Sequence, residues 1–266
     1  DVRNEDANYD EKFWEYVSGE AGRSLSFLTV KTLKTNFNVS AAFSWELSGA
    51  DVLGNEAVSH NRGEFVGNRI ITKVEKNTTV TLTKYVSVIS DRYYNADKIS
   101  LIARQKAVEA KKMGYRNLFE AHRVKWDNIW RMGDISIKGD VKAQQGIRFN
   151  IYQLNCTYSG EDPRLNIGPK GFTGEKYGGS TYWDTEAYCL YFYLGTREPE
   201  IARNLLEYRY DHLEKAKENS LKLGTRGALY PMVTMNGEEC HNEWEITFEE
   251  IHRNCAITNA IKVYTE

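Results

Sequence analysis

The chain has 266 residues, 41% of them hydrophobic and 12% aromatic, enough for a sizeable core in one or two domains. Its 35 basic and 37 acidic side chains leave a formal charge of -2, which gives no electrostatic reason to expect nucleic acid or an anionic membrane as partner. No apolar run approaches the ~20 residues of a membrane-spanning helix. The opening Asp1-Val2-Arg3-Asn4-Glu5-Asp6 carries neither an initiator Met nor a signal peptide and reads like the interior of a longer sequence. Cys156, Cys189, Cys240 and Cys255 are widely spaced, with no CxxC pair. They are expected to be buried apolar thiols of a cytoplasmic protein rather than a disulfide frame.

The first third has the period of strands. Arg23 to Leu33 carries Leu25, Phe27 and Leu28 among β-branched residues. In Val39 to Leu47, Ala41, Phe43 and Trp45 alternate with polar neighbours. In Thr78 to Ile89, Val80, Leu82, Val86 and Val88 share one side, and Thr79, Thr81, Thr83 and Ser87 the other. Such alternation predicts half-buried, antiparallel strands, and strands without intervening helices predict a β-sandwich. His60, alone in this part, is expected to be structural or exposed.

Near Asn95 the period changes. Ile99 to Lys112 predicts a helix stopped by Gly114, and Leu118 to Met132 a second, with Trp126 and Trp130 packing on one face. Asp134 to Lys138 predicts a short strand. Asp140 predicts the cap of a helix reaching about Leu154. Further on, Thr181 to Leu194, Glu198 to Leu223 (opened by Pro199, closed by Gly224) and Thr247 to the end are each predicted as one helix. Strands first and helices afterwards are two segregated layers and not a βαβ alternation, which argues against a Rossmann sheet or TIM barrel.

The stretch with most chemistry is Gly168-Pro-Lys-Gly-Phe-Thr-Gly-Glu-Lys-Tyr-Gly-Gly-Ser-Thr-Tyr-Trp-Asp-Thr-Glu186. Its glycines allow tight turns and close approach. It then delivers Tyr182, Trp183, Asp184 and Glu186 to the start of an apolar helix. It is not a phosphate loop, because Gly174 is followed by the anion Glu175. An indole face beside carboxylates suits a sugar, whose C–H face stacks on the ring while its hydroxyls donate to the acids. The same pattern also describes a glycine-rich connector ahead of a buried Trp. A second polar stretch, Asn236 to Asn254, interleaves Glu238, Glu239, Glu243, Glu245, Glu249 and Glu250 with His241, Trp244 and His252. Metal spacing is missing there, so the choice lies between the rim of a sugar pocket and a solvated loop before a helix N-terminus.

Several segments together carry a resemblance: Asp140-Val-Lys-Ala-Gln-Gln-Gly-Ile-Arg-Phe-Asn150, Gly168 to Gly179, Tyr182-Trp-Asp-Thr-Glu186 and Asn236-Gly-Glu-Glu-Cys-His-Asn-Glu-Trp-Glu245. With the opening Asp1 to Tyr9, they are similar to glycoside hydrolase family 65, the family of the maltose, trehalose, kojibiose and nigerose phosphorylases, and most nearly to its maltose-cleaving members. The resemblance spans essentially the whole chain. It implies the C-terminal part of an N-terminal antiparallel β-sandwich domain (1–97), a helical linker (98–138) and the first helices of an (α/α)6 barrel (139–266).

The implied reaction is inverting phosphorolysis of maltose to β-glucose 1-phosphate and glucose, with inorganic phosphate as co-substrate and no other cofactor or metal. A trehalose, nigerose or kojibiose phosphorylase, a hydrolase of the same family and a non-catalytic carbohydrate-binding module are the alternatives. By resemblance Trp183 and Asp184 bind the glucosyl unit, Glu186 is structural, and His241, Asn242 and Glu243 belong to the acceptor-site loop. A homodimer is implied by the family alone, and the dispersed thiols give the cytoplasmic expectation. The family's general acid, in a Gly-Pro-(Asn/Asp)-Glu-Tyr motif, has no match here, nor have its phosphate-binding Lys-Gln pair and its serine- and histidine-containing phosphate loop. Twelve barrel helices of roughly 11–12 residues each do not fit after Asp140. The expectation is therefore an internal fragment of a longer enzyme, inactive alone, with no catalytic residue in this chain.

Overall fold

The computed structural model describes residues 12–33, 35–60, 64–169, 179–240 and 250–266. The chain divides into two compact units, Asp1–Val124 and Lys125–Glu266.

In the first unit, strands β1 (Trp14–Glu20), β2 (Leu25–Thr32), β3 (Asn38–Ser48) and β6 (Thr81–Ser90) form an antiparallel sheet in the order β1-β2-β3-β6. Strands β4 (Val52–His60) and β5 (Phe65–Thr72) pair as a separate antiparallel hairpin. The Asn55 and Asn68 side-chain amides tie this hairpin to the β1–β2 turn by donating to the Arg23 and Gly22 carbonyls at 2.8 and 2.9 Å. His60 is exposed and stacks on Phe65.

The three strands read from alternation are present and half-buried, but on the side that carries Ser and Ala. Ser40, Ala42 and Ser44 are buried, whereas Leu82, Val86 and Val88 are 56, 54 and 64% exposed. The reason lies in helix α1 (Ile99–Met113), which lays Ala103 and Ala107 on the sheet. Small residues on both surfaces let the backbones approach, and the Ser44 hydroxyl donates to the Ala107 carbonyl at 3.0 Å. Arg104 covers the rim with its guanidinium over the Phe27 ring. Strands β1, β4 and β5, unmarked in the sequence, lack apolar alternation because most of their residues are exposed or half-exposed on both faces.

Helix α2 (Tyr115–Gly133) follows Gly114, whose φ of +80° favours glycine. Within the second unit Trp126 and Trp130 lie 6.0 Å apart, and Trp126 also stacks on Tyr152 at 5.1 Å. The expected strand at Asp134–Lys138 does not form. Its backbone groups go to Gln144 instead, whose side chain accepts from the Ile137 N–H and donates to the Ile135 carbonyl. Asp140 caps α3 (Val141–Thr157) as expected, accepting from the Ala143 N–H at 3.0 Å.

The helix expected over Thr181–Leu194 begins later. Thr181 forms a two-residue bridge with Thr234, and helical structure starts as a single π-turn at Thr185–Cys189 before α4 (Leu190–Thr196). Glu198–Leu223 is two helices, α5 (Pro199–Asp211) and α6 (Leu213–Lys222). The break falls at His212, whose N–H returns to the Arg209 carbonyl in a tighter turn. The last helix, α7, is His252–Thr265. The core of this unit gathers Tyr158, Ile167, Leu190, Tyr193, Ala202, Leu205 and Ala260. Tyr193 satisfies its buried hydroxyl on the Leu154 carbonyl at 2.8 Å.

The burial expected of the cysteines is not observed. All four are free, Cys156, Cys240 and Cys255 are exposed, and Cys189 is half-buried. No helix among the described residues is long and apolar enough to cross a membrane.

Candidate functional site

The ends of the glycine-rich stretch are clamped together. Gly168 passes so near residue 180 that a side-chain carbon placed on it would lie 2.3 Å from the Ser180 carbonyl oxygen. The Thr185 hydroxyl donates to the Ile167 carbonyl from the other side. Residues 170–178 between these points lie outside the described residues.

From the clamp the chain runs through Thr181, held by reciprocal hydrogen bonds to Thr234 at 2.7 and 3.1 Å. Tyr182 is buried with Met232 and Val233, and Trp183 packs partly against this cluster. The Trp183 ring meets His252 edge-on at 4.7 Å and Tyr188 at 5.8 Å. Two side chains thus fix an indole that remains partly open. Asp184 stands next at the head of the π-turn. Unlike Asp140, it makes no side-chain cap hydrogen bond. It is half-buried, and burial pushes its carboxyl above the usual carboxylate range. No cation among the described residues pairs with it. The segment therefore offers a half-open aromatic face and a partly desolvated carboxylate that local structure does not consume.

Glu186 has the opposite fate. It is fully buried and takes a two-point contact from Arg209, at 2.7 Å to Nε and 3.0 Å to Nη2. Arg209 also donates to the Tyr182 carbonyl at 3.2 Å. Burial opposes the Arg209 charge, but the Glu186 carboxylate outweighs it and holds the guanidinium pKa above its ordinary value. This pair fastens the segment to α5, which agrees with the structural part expected of Glu186.

The stretch from Ala228 to Cys240 forms the adjoining wall. Asn254 secures it by donating to the Ala228 carbonyl and accepting from the Tyr230 N–H. Tyr208 reaches the Met235 carbonyl at 3.0 Å. The Glu239 carboxylate accepts from the N–H groups of Met232 and Val233 at 2.6 and 3.2 Å, so it organises its own loop. His241, Asn242 and Glu243 fall in 241–249, outside the described residues. Among the acidic residues beyond, Glu250 lies 3.5 Å from His252.

Two residues of this region escaped the sequence reading, Arg209 and Arg253. Both are almost completely buried. A signal was present: Arg209 follows Ala202 and Leu205 at helical spacing, and Arg253 precedes Ile257 and Ala260 likewise, so each cation sits on a core face. A charge in that position requires a partner.

Comparison with known proteins adds the family. Residues 148–266 match the glycosyl hydrolase family 65 central catalytic domain, and 1–129 the N-terminal domain of the same family. The chain is 46% identical to maltose phosphorylase of Bacillus subtilis (strain 168), over 99% of this chain and 34% of that protein. It is 34% identical to the α,α-trehalose phosphorylase of Thermoanaerobacter brockii, over 90% of this chain and 30% of that protein. A solved structure, described as a putative kojibiose phosphorylase from human microbiome, superposes with a TM-score of 0.83 at 32% identity, covering 95% of this chain and 33% of its own. The chain thus spans about a third of the length of the relatives it matches. Its antiparallel sheets and the helices after them are matched by successive domains of one family, and the chain belongs to glycosyl hydrolase family 65.

Proposed function

We propose that the chain is the glucosyl-binding part of an inverting phosphorylase that cleaves maltose with inorganic phosphate to β-glucose 1-phosphate and glucose. The observation that carries the proposal is the pairing of a half-open Trp183 with a half-buried Asp184 that local structure leaves uncommitted. The indole would take the C–H face of the glucosyl ring, and the carboxylate would accept from its hydroxyls. The higher identity to maltose phosphorylase, 46% against 34% for the trehalose enzyme, supports maltose as the disaccharide.

In phosphorolysis the nucleophile is phosphate, so no carboxylate base is required to activate water. One acid must still protonate the leaving oxygen, opposite the face of attack. On this reading no residue of this chain supplies that acid or the phosphate ligands, and the chain alone is inactive. His241, Asn242 and Glu243 belong to the acceptor side. The chain divides as 1–97, 98–138 and 139–266, and the enzyme is a cytoplasmic homodimer with phosphate as co-substrate and no other cofactor.

Calorimetry with maltose and glucose tests the site. Binding weakened more than tenfold in Asp184→Ala and Trp183→Ala is expected. Binding equal in the wild type and both variants, or no binding at all, would overturn the sugar site. Release of glucose 1-phosphate by the chain alone, from maltose and phosphate, would overturn the absence of a catalytic residue.

A further inference from the structure

Arg253, in the first turn of α7, is 1% exposed. Its Nε, Nη1 and Nη2 are buried and find no hydrogen-bond acceptor among the described residues. A guanidinium keeps its charge and offers five N–H donors, so among the described residues this is the largest unmet demand for acceptor oxygens in the second unit. The fold satisfies its other cations here: buried Arg209 has Glu186 and the Tyr182 carbonyl, and half-buried Arg197 has Asn155. Acidic neighbours are present but used elsewhere. Glu239 holds the Met232 and Val233 N–H groups, and Glu250 lies beside His252. Burial pulls the Arg253 pKa below its ordinary value, partly countered by Glu239 and Glu250 and reinforced by Arg209.

Its position connects the unmet demand to the candidate site. Helix α7 packs against the Thr185–Cys189 turn, and the neighbouring His252 touches the Trp183 ring. The sign of the local charge then selects the ligand. Arg253 and Arg209 stand against Glu186, Glu239 and Glu250, an excess of negative charge that opposes a phosphate dianion. A neutral polyhydroxyl ligand brings acceptor oxygens without adding charge.

We infer that Arg253 is a sugar-binding residue, its guanidinium, without an acceptor among the described residues, donating hydrogen bonds to hydroxyl oxygens of the carbohydrate beside Trp183 and Asp184. The inference rests on the sugar-site reading of those two residues.

The test is calorimetric titration of this chain with maltose, glucose and inorganic phosphate separately, alongside thermal melts, for the wild type, Arg253→Met, Arg253→Lys and Asp184→Asn. Arg253→Met is expected to weaken maltose binding at least tenfold while its melting temperature stays level or rises, because a desolvated cation has been removed. Arg253→Lys is expected to recover only part of the affinity, since a point ammonium does not reproduce the planar fork. Maltose binding lost in Asp184→Asn but intact in Arg253→Met would overturn the assignment of Arg253 alone. A fall in the melting temperature of Arg253→Met with unchanged maltose affinity would overturn it as well, by making Arg253 an internal tie. Phosphate binding that disappears in Arg253→Met would show an oxyanion site and overturn the sugar assignment. Absence of sugar binding in every protein, wild type included, would overturn the underlying site reading together with this one.

Discussion

Glu186 and Arg209 form a buried ion pair in which both carboxylate oxygens accept from the guanidinium, at 2.7 and 3.0 Å, with each side chain at most 3% exposed. The pair joins the segment carrying Trp183 and Asp184 to α5, and Arg209 extends the tie to the Tyr182 carbonyl. Removing one partner strands the other charge in a dry environment. Glu186→Gln is therefore expected to destabilise the protein by about 3–5 kcal/mol in urea unfolding, whereas replacing both residues by methionine recovers most of that loss. If the double variant is no more stable than the single one, the stranded charge is not the cause.

Gly168 is the second fixed point. A β-carbon there meets a backbone oxygen, which cannot swing aside as a side chain can. Gly168→Ala is expected to cost about 1–3 kcal/mol by overpacking and to disturb the segment beyond Ser180. Gly146 is the contrasting case, in the interior of α3 with open space around it. Gly146→Ala is expected to stabilise by roughly 0.5–1 kcal/mol, because alanine loses less backbone entropy in a helix. Paired chemical denaturation curves compare the two.

His212, at the break between α5 and α6, carries a pKa below its ordinary value, through burial first and then the charges of Lys215 and Arg209. The unfolded chain binds more protons at this site between the depressed value and about 6.5, so stability rises with pH across that window. The contribution is fully present above about 6.5 and is lost as pH falls toward the folded pKa. Melts at pH 7.5 and 5.5 are expected to show lower stability at the acid end. His212→Phe, which keeps a ring against Tyr208, is expected to flatten that part of the dependence. An unchanged slope in His212→Phe would assign the acid loss to other groups.

The thiols divide by exposure. Cys156, Cys240 and Cys255 are exposed, and burial pushes the Cys189 thiol up to about 11. Titration with a disulfide reagent at neutral pH is expected to give Cys156 and Cys255 first, then Cys240, whose thiol is also pushed up by burial, and Cys189 as the slow last equivalent, because only the thiolate reacts. Replacing Cys189 by alanine should abolish the slow last phase and leave the earlier ones.

Asp184 supplies a prediction of opposite sign to that of His212. Burial raises its carboxyl pKa, so the folded state holds its proton to higher pH than the unfolded state. Stability from this group therefore declines as pH rises from about 4 through the raised value. Asp184→Asn is expected to melt higher than the wild type at neutral pH, with the difference fading near pH 3.5. A variant that melts lower at neutral pH would mean that the carboxylate has a partner that the fold depends on.

The sequence by itself determined what is local. Alternation located β2, β3 and β6, and Asp140, Gly114 and Gly224 marked helix ends, because caps and left-handed glycines act within a few residues. The aromatic-acidic run at Tyr182–Glu186 was legible for the same reason: adjacent residue types define its chemistry. Only the tertiary structure decided which face of the sheet is buried, since Ser40, Ala42 and Ser44 are chosen by the alanines of α1 and not by their own hydropathy. It likewise separated two neighbouring acids. Glu186 is consumed by an arginine 23 residues away, while Asp184 is left beside the half-open Trp183. A carboxylate's role depends on the charge that meets it, and packing between distant helices sets that meeting.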